Sequence, residues 1–449
     1  MTERTGGSDV SLTETLATND PSVEGMADVN EGIGLGPWSV SGFKWFSSAT
    51  DSNMTILLAK TTPNGKLSAF FAPMRRSVDV ATSMVGKKLA KEEGSELNGV
   101  RIQRLKDKFG TQSLPTAELE LLGMRAWMIG DEGKGIQEIS TVLTITRIYS
   151  AVAAVGYLGR GLCVAKAYAK VRKVGGGQGK RMLLHDSPLH MRTLADMTAE
   201  YHGLVYLTIF SAFILGLSEN MDSPSGSRST TLQALTPKPE HIDPLLRVLT
   251  QVMKAYVCKH AIPLLYACME SLGGQGYLLN EELEYLNLAR LYRDCCVLAI
   301  WEGTTDVLST DFIRAVKHPR SGPACMEALD DLIRSSPHGA AAGHGQWKPL
   351  EAWEKAKRRL EGESAEELVG MAREIVWNVA EILIGILLSA DSKRDGSQTA
   401  EDIFERFVAV KRLGGGGGMV SSAERSGDRL RRDQAIVYGE EEDILQAKL

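Results

Sequence analysis

Residues 1–130 carry short apolar runs broken at close intervals. Thr55-Ile56-Leu57-Leu58-Ala59 and Leu67-Ser68-Ala69-Phe70-Phe71 alternate with Asn-Gly, Gly-Pro and Pro-Asn-Gly breaks, and Leu119-Glu120-Leu121-Leu122 continues the pattern. Runs of that length between turn residues predict β-strands. Gly130-Asp131-Glu132-Gly133-Lys134-Gly135 closes the region, and the period then changes. From Ile136 to about Ala169, Leu, Val, Ile, Ala and Tyr recur every three or four residues without proline, which predicts long helices. Small residues among them (Ala151, Ala153, Ala154, Gly156, Gly159, Gly161) let such helices approach closely. A glycine-rich break spans Val174 to Lys180. Helical pattern resumes from Leu189 to Glu219 and from Asp243 to Leu272, with Asp222 to Pro239 between them read as a loop. After Arg320 come Pro-, Gly- and Ala-rich linkers, an amphipathic stretch from Trp347 to Leu388 and a pentaglycine, Gly414 to Gly418. The charged tail from 419 reads as solvated. The pattern is that of an α+β protein without internal repeats: a β-rich region at 1–130, a helical region at 131–320, and a helical extension with a flexible charged tail at 321–449.

Composition narrows the function classes. The 449 residues are 43% hydrophobic and 24% charged, with a net charge of −5, so no global basic field exists to hold nucleic acid. The six cysteines, Cys163, Cys258, Cys268, Cys295, Cys296 and Cys325, form no Cys-x-x-Cys pair. They read as buried thiols in a reducing compartment rather than a zinc ribbon or a redox motif. His185 and His190, and His338 and His344, lack carboxylate or thiol partners at ligand spacing and suggest no metal. Leu204 to Leu217, the most apolar stretch, is too short for a membrane span and reads as a core helix. Met1-Thr2-Glu3-Arg4 opens without the apolar region of a secretory signal. The last residues, Ala447-Lys448-Leu449, resemble a peroxisomal address, which makes the expected compartment peroxisomal and otherwise cytoplasmic.

Four segments carry candidate chemistry. Thr5-Gly6-Gly7-Ser8-Asp9 sets glycines beside hydroxyls, which suits close backbone approach to a phosphate or ring edge and equally suits a turn. Gly42-Phe43-Lys44-Trp45-Phe46-Ser47-Ser48-Ala49 places an indole and hydroxyls in a strand context, where Trp45 can be core or cofactor wall. Leu272-Gly273-Gly274-Gln275-Gly276-Tyr277 ends a helical stretch and reads locally as a helix cap and turn. In Ile300-Trp301-Glu302-Gly303-Thr304-Thr305, a carboxylate between an indole and a glycine is either a solvated residue or a general base whose basicity burial can raise.

Taken in order, Met-Thr-Glu with Gly-Ser-Asp, Lys-Trp-Phe-Ser-Ser-Ala, Leu-Gly-Gly-Gln-Gly-Tyr and Trp-Glu-Gly-Thr-Thr resemble the acyl-CoA dehydrogenase family. Asp107 to Leu119 and Leu143-Thr144-Ile145-Thr146-Arg147 add to the resemblance, which covers residues 1–315 and is nearest the branch of the bacterial alkylation-response flavoproteins. The resemblance implies a β-barrel-like middle domain followed by a helical bundle, with FAD between them and shared across a dimer face in a homodimer or homotetramer. It assigns Thr2 and Ser8 to the flavin ring and phosphates, Trp45 and Ser47 to the isoalloxazine, and Thr304 to the pyrophosphate. Arg172, Gly273, Gly274 and Gly276 would meet the FAD of the neighbouring subunit. Ser8, Arg147 and Gly303 would meet the acyl-CoA substrate. Glu302 is the implied catalytic base, removing the α-proton of the thioester while the β-hydrogen leaves as hydride to the flavin, giving the trans-2-enoyl-CoA. A carboxylate of reference pKa about 4.3 cannot deprotonate so weak an acid unaided. The resemblance therefore implies that the backbone N–H at the glutamate and a flavin hydroxyl stabilise the enolate oxygen, with water excluded. Electrons would pass to a flavoprotein or to oxygen.

Three departures accompany the resemblance. Family members carry a helical domain ahead of the Met-Thr-Glu segment, and this sequence begins there; Val174 to Lys180 replaces the usual stretch after the long helix, leaving the assignment of Arg172 open; Asp306 stands where many members have an amide. Two alternatives follow: a non-catalytic remnant, and a flavin-binding, nucleic-acid-associated protein. The second wants a basic C-terminal region, whereas residues 321–449 hold 17 Lys and Arg against 23 Asp and Glu.

Overall fold

The computed structural model describes residues 1–7, 9–23, 34–77, 95–177, 179–220, 230–279, 287–336, 347–411, 413 and 426–439. The chain divides into two compact units, Met1–Ile145 and Thr146–Leu449.

In the first unit the alternating runs form strands β1 (Leu16–Asn19), β2 (Trp38–Ser48), β3 (Met54–Thr62), β4 (Leu67–Pro73), β5 (Arg75–Ser77), β6 (Ser95–Leu97), β7 (Val100–Leu105) and β8 (Thr116–Ile129). Five of them close on themselves in the order β1-β3-β4-β8-β2, because β2 bonds both β1 and β8; β7 adds to β8, and β5 pairs with β6 separately. The pairings of this ring are antiparallel except that of β1 with β3. Alternation places Val40, Leu57, Ala59, Phe70, Leu119, Leu121 and Met124 inside, and they form one apolar core.

One buried ion pair ties the N-terminus to this ring. Lys44 on β2 is 1% exposed. Its Nζ donates to Glu3 Oε1 at 2.6 Å and to the Leu58 carbonyl at 2.8 Å. Glu3 also accepts from Thr15 Oγ1 (2.6 Å), the Thr15 N–H (3.3 Å) and the Glu14 N–H (2.6 Å). The neighbouring Thr2 thereby lies along β2, donating to the Phe46 carbonyl at 3.0 Å and accepting from the Trp45 N–H at 2.8 Å.

The helices are α1 (Gly135–Val171), α2 (Pro188–Glu219), α3 (Thr230–Ala234), α4 (Pro239–Ser271), α5 (Leu288–Cys296), α6 (Thr305–Val316), α7 (Gly322–Ser335), α8 (Pro349–Gly362), α9 (Ala365–Val369), α10 (Ala372–Asp395), α11 (Gln398–Val410) and α12 (Ser426–Tyr438). From Thr146 onward they share a single apolar core, in which α4 is the most enclosed element. The three-residue-period segments at 136–169, 189–219 and 243–272 correspond to α1, α2 and α4 within a few residues. The hydroxyls of Thr198, Thr208 and Ser211 are accommodated in buried α2 by bonding the carbonyl one turn back.

Four sequence expectations change. The stretch read as a loop contains α3, and the glycine-rich break contains a short hairpin, β9 (Lys173–Gly175) with β10 (Arg181–Leu183). The charged tail is not simply solvated: α12 packs on α2, with Ile436 and Val437 buried and Asp433 bonded to Arg406. Its alternating charges concealed a narrow apolar edge of Leu430, Ile436, Val437 and Tyr438. Finally, Gly135–Val171, Pro188–Glu219 and Ala372–Arg394 are long and apolar enough to cross a membrane by length and composition. Leu204 to Leu217 is one part of such a helix, whose few polar residues are diluted over more than five turns.

Candidate functional site

The residues singled out in the sequence fall into two sets, one in each unit. In the first unit, Thr2 lies beside Trp45 and Phe46 through the backbone bonds above. The half-buried Trp45 indole is covered by cations: Lys106 Nζ lies 3.1 Å from the ring centroid, and the guanidinium of Arg4 5.0 Å. Ser47 is 2% exposed, and its Oγ is buried without a hydrogen-bond partner among the described residues. A buried hydroxyl with no partner is costly, and its donor capacity is available to a ligand. Ser8 lies outside the described residues, as do His338, His344, Gly414 to Gly418 and Ala447 to Leu449.

In the second unit, Trp301 to Thr304 form a tight turn between a short 3-10 segment at Val297–Ala299 and α6. Glu302 has φ +59° and Gly303 φ +98°, two successive left-handed residues. That conformation is unfavourable for a glutamate and requires outside support. The support comes from two cations, one fully and one partly buried. Lys254 of α4, 1% exposed, donates from Nζ to the carbonyls of Trp301 and Gly303, each at 2.6 Å. Arg147 of α1 donates from Nε to the Glu302 carbonyl at 3.4 Å. Trp301 Nε1 donates to Ser150 Oγ at 3.1 Å, fixing the indole to α1. Glu302 is half-buried; among the described residues no cation lies within ion-pair distance of its carboxylate, although Lys254 and Arg147 attract it from farther away.

Burial lowers the Lys254 ammonium to about 8, although Cys258 and Glu302 oppose the shift. Burial likewise lowers Arg147, against the opposing attraction of Asp311. Asp311 in turn accepts from Arg247 at 2.9 and 3.1 Å and from Gln251 at 3.0 Å. Lys254 was not among the residues the sequence suggested. A lone lysine inside an apolar helical run was the available signal, since such a group is seldom fully buried without a specific role.

The remaining candidates have local explanations. Thr304 caps α6, its Oγ1 accepting from the Val307 N–H at 3.4 Å. Asp306, in the first turn of α6, bonds Arg373 at 2.6 Å. Gly273 follows α4 with φ +63°, the usual left-handed helix stop, and a Cβ on Gly276 would lie 2.1 Å from the Met269 carbonyl. A Cβ on Gly274 would meet nothing within 4 Å. Arg172 is exposed beyond the end of α1, its amide bonded to the Tyr168 carbonyl, and nothing places it beside the Glu302 turn. Among the described residues no cluster of His, Cys, Asp or Glu could hold a metal.

Residues 224–317, which include α4 and the Glu302 turn, match the family described as "Acyl-CoA dehydrogenase, C-terminal domain". Acyl-CoA dehydrogenase family member 11 of Caenorhabditis elegans is 32% identical over 408 residues, covering 86% of this chain and 57% of that protein. The Escherichia coli protein named putative acyl-CoA dehydrogenase AidB is 30% identical over 316 residues, covering 70% of this chain and 47% of its own length. The chain thus spans about half the length of these curated relatives. The crystal structure of Caenorhabditis elegans ACDH-11 in complex with C11-CoA superposes with a TM-score of 0.71 at 30% identity, covering 98% of this chain and 68% of that one.

Proposed function

This chain belongs to the acyl-CoA dehydrogenase family, and from that premise we propose that it acts in the FAD-dependent α,β-dehydrogenation of an acyl-CoA thioester, with Glu302 as the base. The observation that carries the reading is the Glu302 turn: a carboxylate without a cation partner among the described residues, on a left-handed backbone braced by Lys254 and Arg147. A carboxylate held in a close ion pair would be a poor base; among the described residues neither a hydrogen bond nor a close ion pair engages this one. The C11-CoA bound by ACDH-11 supports an acyl-CoA as the substrate class.

The residues present fit FAD on two observations of this chain. The orphaned Ser47 hydroxyl, next but one to Trp45, is a donor in search of an acceptor. The N-terminus of α6, capped by Thr304, presents backbone N–H groups suited to a phosphate. In this reading Thr2, Trp45 and Ser47 hold the flavin and Thr304 the pyrophosphate. When bound, FAD supplies the acceptor for the β-hydride. The Glu302 carboxylate takes the α-proton, and the backbone N–H of the same residue meets the thioester oxygen as charge develops there. Arg147, partly buried beneath the turn, keeps the Glu302 peptide in place. Exposed Tyr277, Leu278 and Leu279 support association with a second copy.

Anaerobic titration of the purified protein with acyl-CoAs of increasing length, followed by visible absorption, tests the proposal. Bound flavin should bleach with at least one of them, and Glu302→Gln should slow bleaching by at least a thousandfold while retaining flavin. A flavoprotein that no acyl-CoA bleaches, or a Glu302→Gln variant as fast as the parent, would refute it. Oxygen uptake during turnover separates oxygen from a flavoprotein as electron acceptor.

A further inference from the structure

Lys254 is an unusual group for its setting. It is enclosed in the helical core, and the hydrogen-bond acceptors it meets among the described residues are the main-chain carbonyls of Trp301 and Gly303, on either side of Glu302. An ammonium buried with main-chain carbonyls rather than a carboxylate as its hydrogen-bond acceptors is costly, so a lysine placed here does more than fill space.

The geometry has a consequence for the outer side of the turn. A trans peptide is planar, with its carbonyl and N–H pointing in opposite directions. The Trp301 carbonyl turns inward to Lys254, so the N–H of Glu302 in the same peptide must turn outward. The Gly303 carbonyl is drawn to the same amine, so the N–H of Thr304 also turns outward. Among the described residues, no backbone carbonyl accepts from the Glu302 N–H. A cation bonded to a carbonyl polarises that peptide and makes its N–H the stronger donor.

We propose that Lys254 is a positioning residue that, by holding and polarising the Trp301–Glu302 peptide and bracing the Gly303–Thr304 peptide beyond it, aims the Glu302 N–H at the thioester oxygen and strengthens it as a donor. The proposal rests on the dehydrogenase reading above. The ammonium touches neither substrate nor flavin in this scheme and acts through two peptide planes. Its lowered proton affinity agrees with a group that trades hydration for these two carbonyls. Arg147 makes the third contact of the set, but to the peptide that follows Glu302.

The test compares the parent with Lys254→Met, which is one atom shorter, unbranched like lysine, and lacks its donors. Three measurements are made on the flavin-loaded protein: flavin reduction by the best acyl-CoA, the infrared frequency of a ¹³C-labelled thioester carbonyl in bound enoyl-CoA, and amide hydrogen exchange over residues 299–306. Weakening an oxyanion donor should slow reduction about 10- to 100-fold, with ligand affinity changed less than threefold. The bound carbonyl should move back toward its frequency in water, and exchange should rise over 299–306 but not along α2. If Lys254→Met does not fold, Lys254→Gln, neutral but still a donor, takes its place, with a smaller rise in exchange and the same direction of carbonyl shift. An unchanged carbonyl frequency together with unchanged exchange overturns the proposal. Exchange is also read without substrate, so a parent protein inert to every acyl-CoA would refute the dehydrogenase reading while still reporting whether Lys254 holds the turn.

Discussion

Replacing Glu3 with alanine would leave the Lys44 ammonium without its carboxylate at a site where the lysine is 1% exposed. The substitution removes the 2.6 Å bond from Lys44 and strands three further donors, Thr15 Oγ1, the Thr15 N–H and the Glu14 N–H. Breaking a buried pair from one side costs about 3–5 kcal/mol, a large share of a typical domain's stability of roughly 5–15 kcal/mol. Urea unfolding followed by tryptophan fluorescence would report this loss, with Trp45 next to Lys44 as a local probe. The double variant Glu3→Leu/Lys44→Met removes both charges and should recover at least half of it, since an apolar pair of similar size often replaces a buried ion pair at little cost. The pH dependence supplies a second check. Burial raises the Glu3 carboxyl, but the hydrogen bonds from Lys44, Thr15 and Glu14 outweigh it and leave the group below its ordinary 4.5. Its contribution is therefore complete above pH 4.5 and is lost as the pH falls through the lowered value in the fold. Glu3→Ala should flatten that part of the profile. A loss under about 1 kcal/mol, or an unaltered acid limb, would refute the view that this pair anchors the N-terminal segment beside Trp45.

Other substitutions probe separate parts of the argument. Gly303→Ala adds a Cβ 3.0 Å from Leu308 Cδ2 at φ +98°; it should cost about 1–3 kcal/mol by thermal unfolding and slow flavin reduction, and a neutral result would mean that the turn is relaxed. His260, stacked on Tyr256 at 3.8 Å, is lowered by burial to about 4 from 6.5. The unfolded chain binds its proton first, so stability should decline as the pH falls from 6.5 towards 4, and His260→Gln should remove that slope in urea titrations. A fluorescent protein extended by residues 440–449 should collect in peroxisomes through Ala447-Lys448-Leu449, and Lys448→Glu should disperse it.

Period and punctuation made the skeleton legible. The apolar run at 55–59 lies in β3, and the three- and four-residue spacings at 136–169 became α1, because these signals are local and survive without knowledge of neighbours. The charged tail was misread for a related reason. Asp433 and Arg432 look solvated in sequence, yet their partners Arg406, Asp402 and Glu405 lie a full helix away in α11. Asp306 appeared as a departure within a motif, and its bond to Arg373 of α10 gives it a structural part in the bundle.

The candidate site divides in the same way. Trp301-Glu302-Gly303-Thr304-Thr305 could be singled out from the sequence because an acid stands between an indole and a glycine, in a motif order that resembles a known family. That the glutamate lies on a left-handed backbone, and that Lys254 and Arg147 grip the carbonyls around it, could not. Lys254 and Arg147 are separated from the turn by 47 and 155 residues, and a buried cation is attributed to its acceptor only once helices have packed. The sequence alone determined the element types and the apolar faces, since each follows from neighbouring residues, and it offered Glu302 as a candidate acid through a resemblance in motif order. Tertiary structure decided which charges meet, which hydroxyl is left without a partner and which way a peptide points, since those depend on groups brought together from distant parts of the chain.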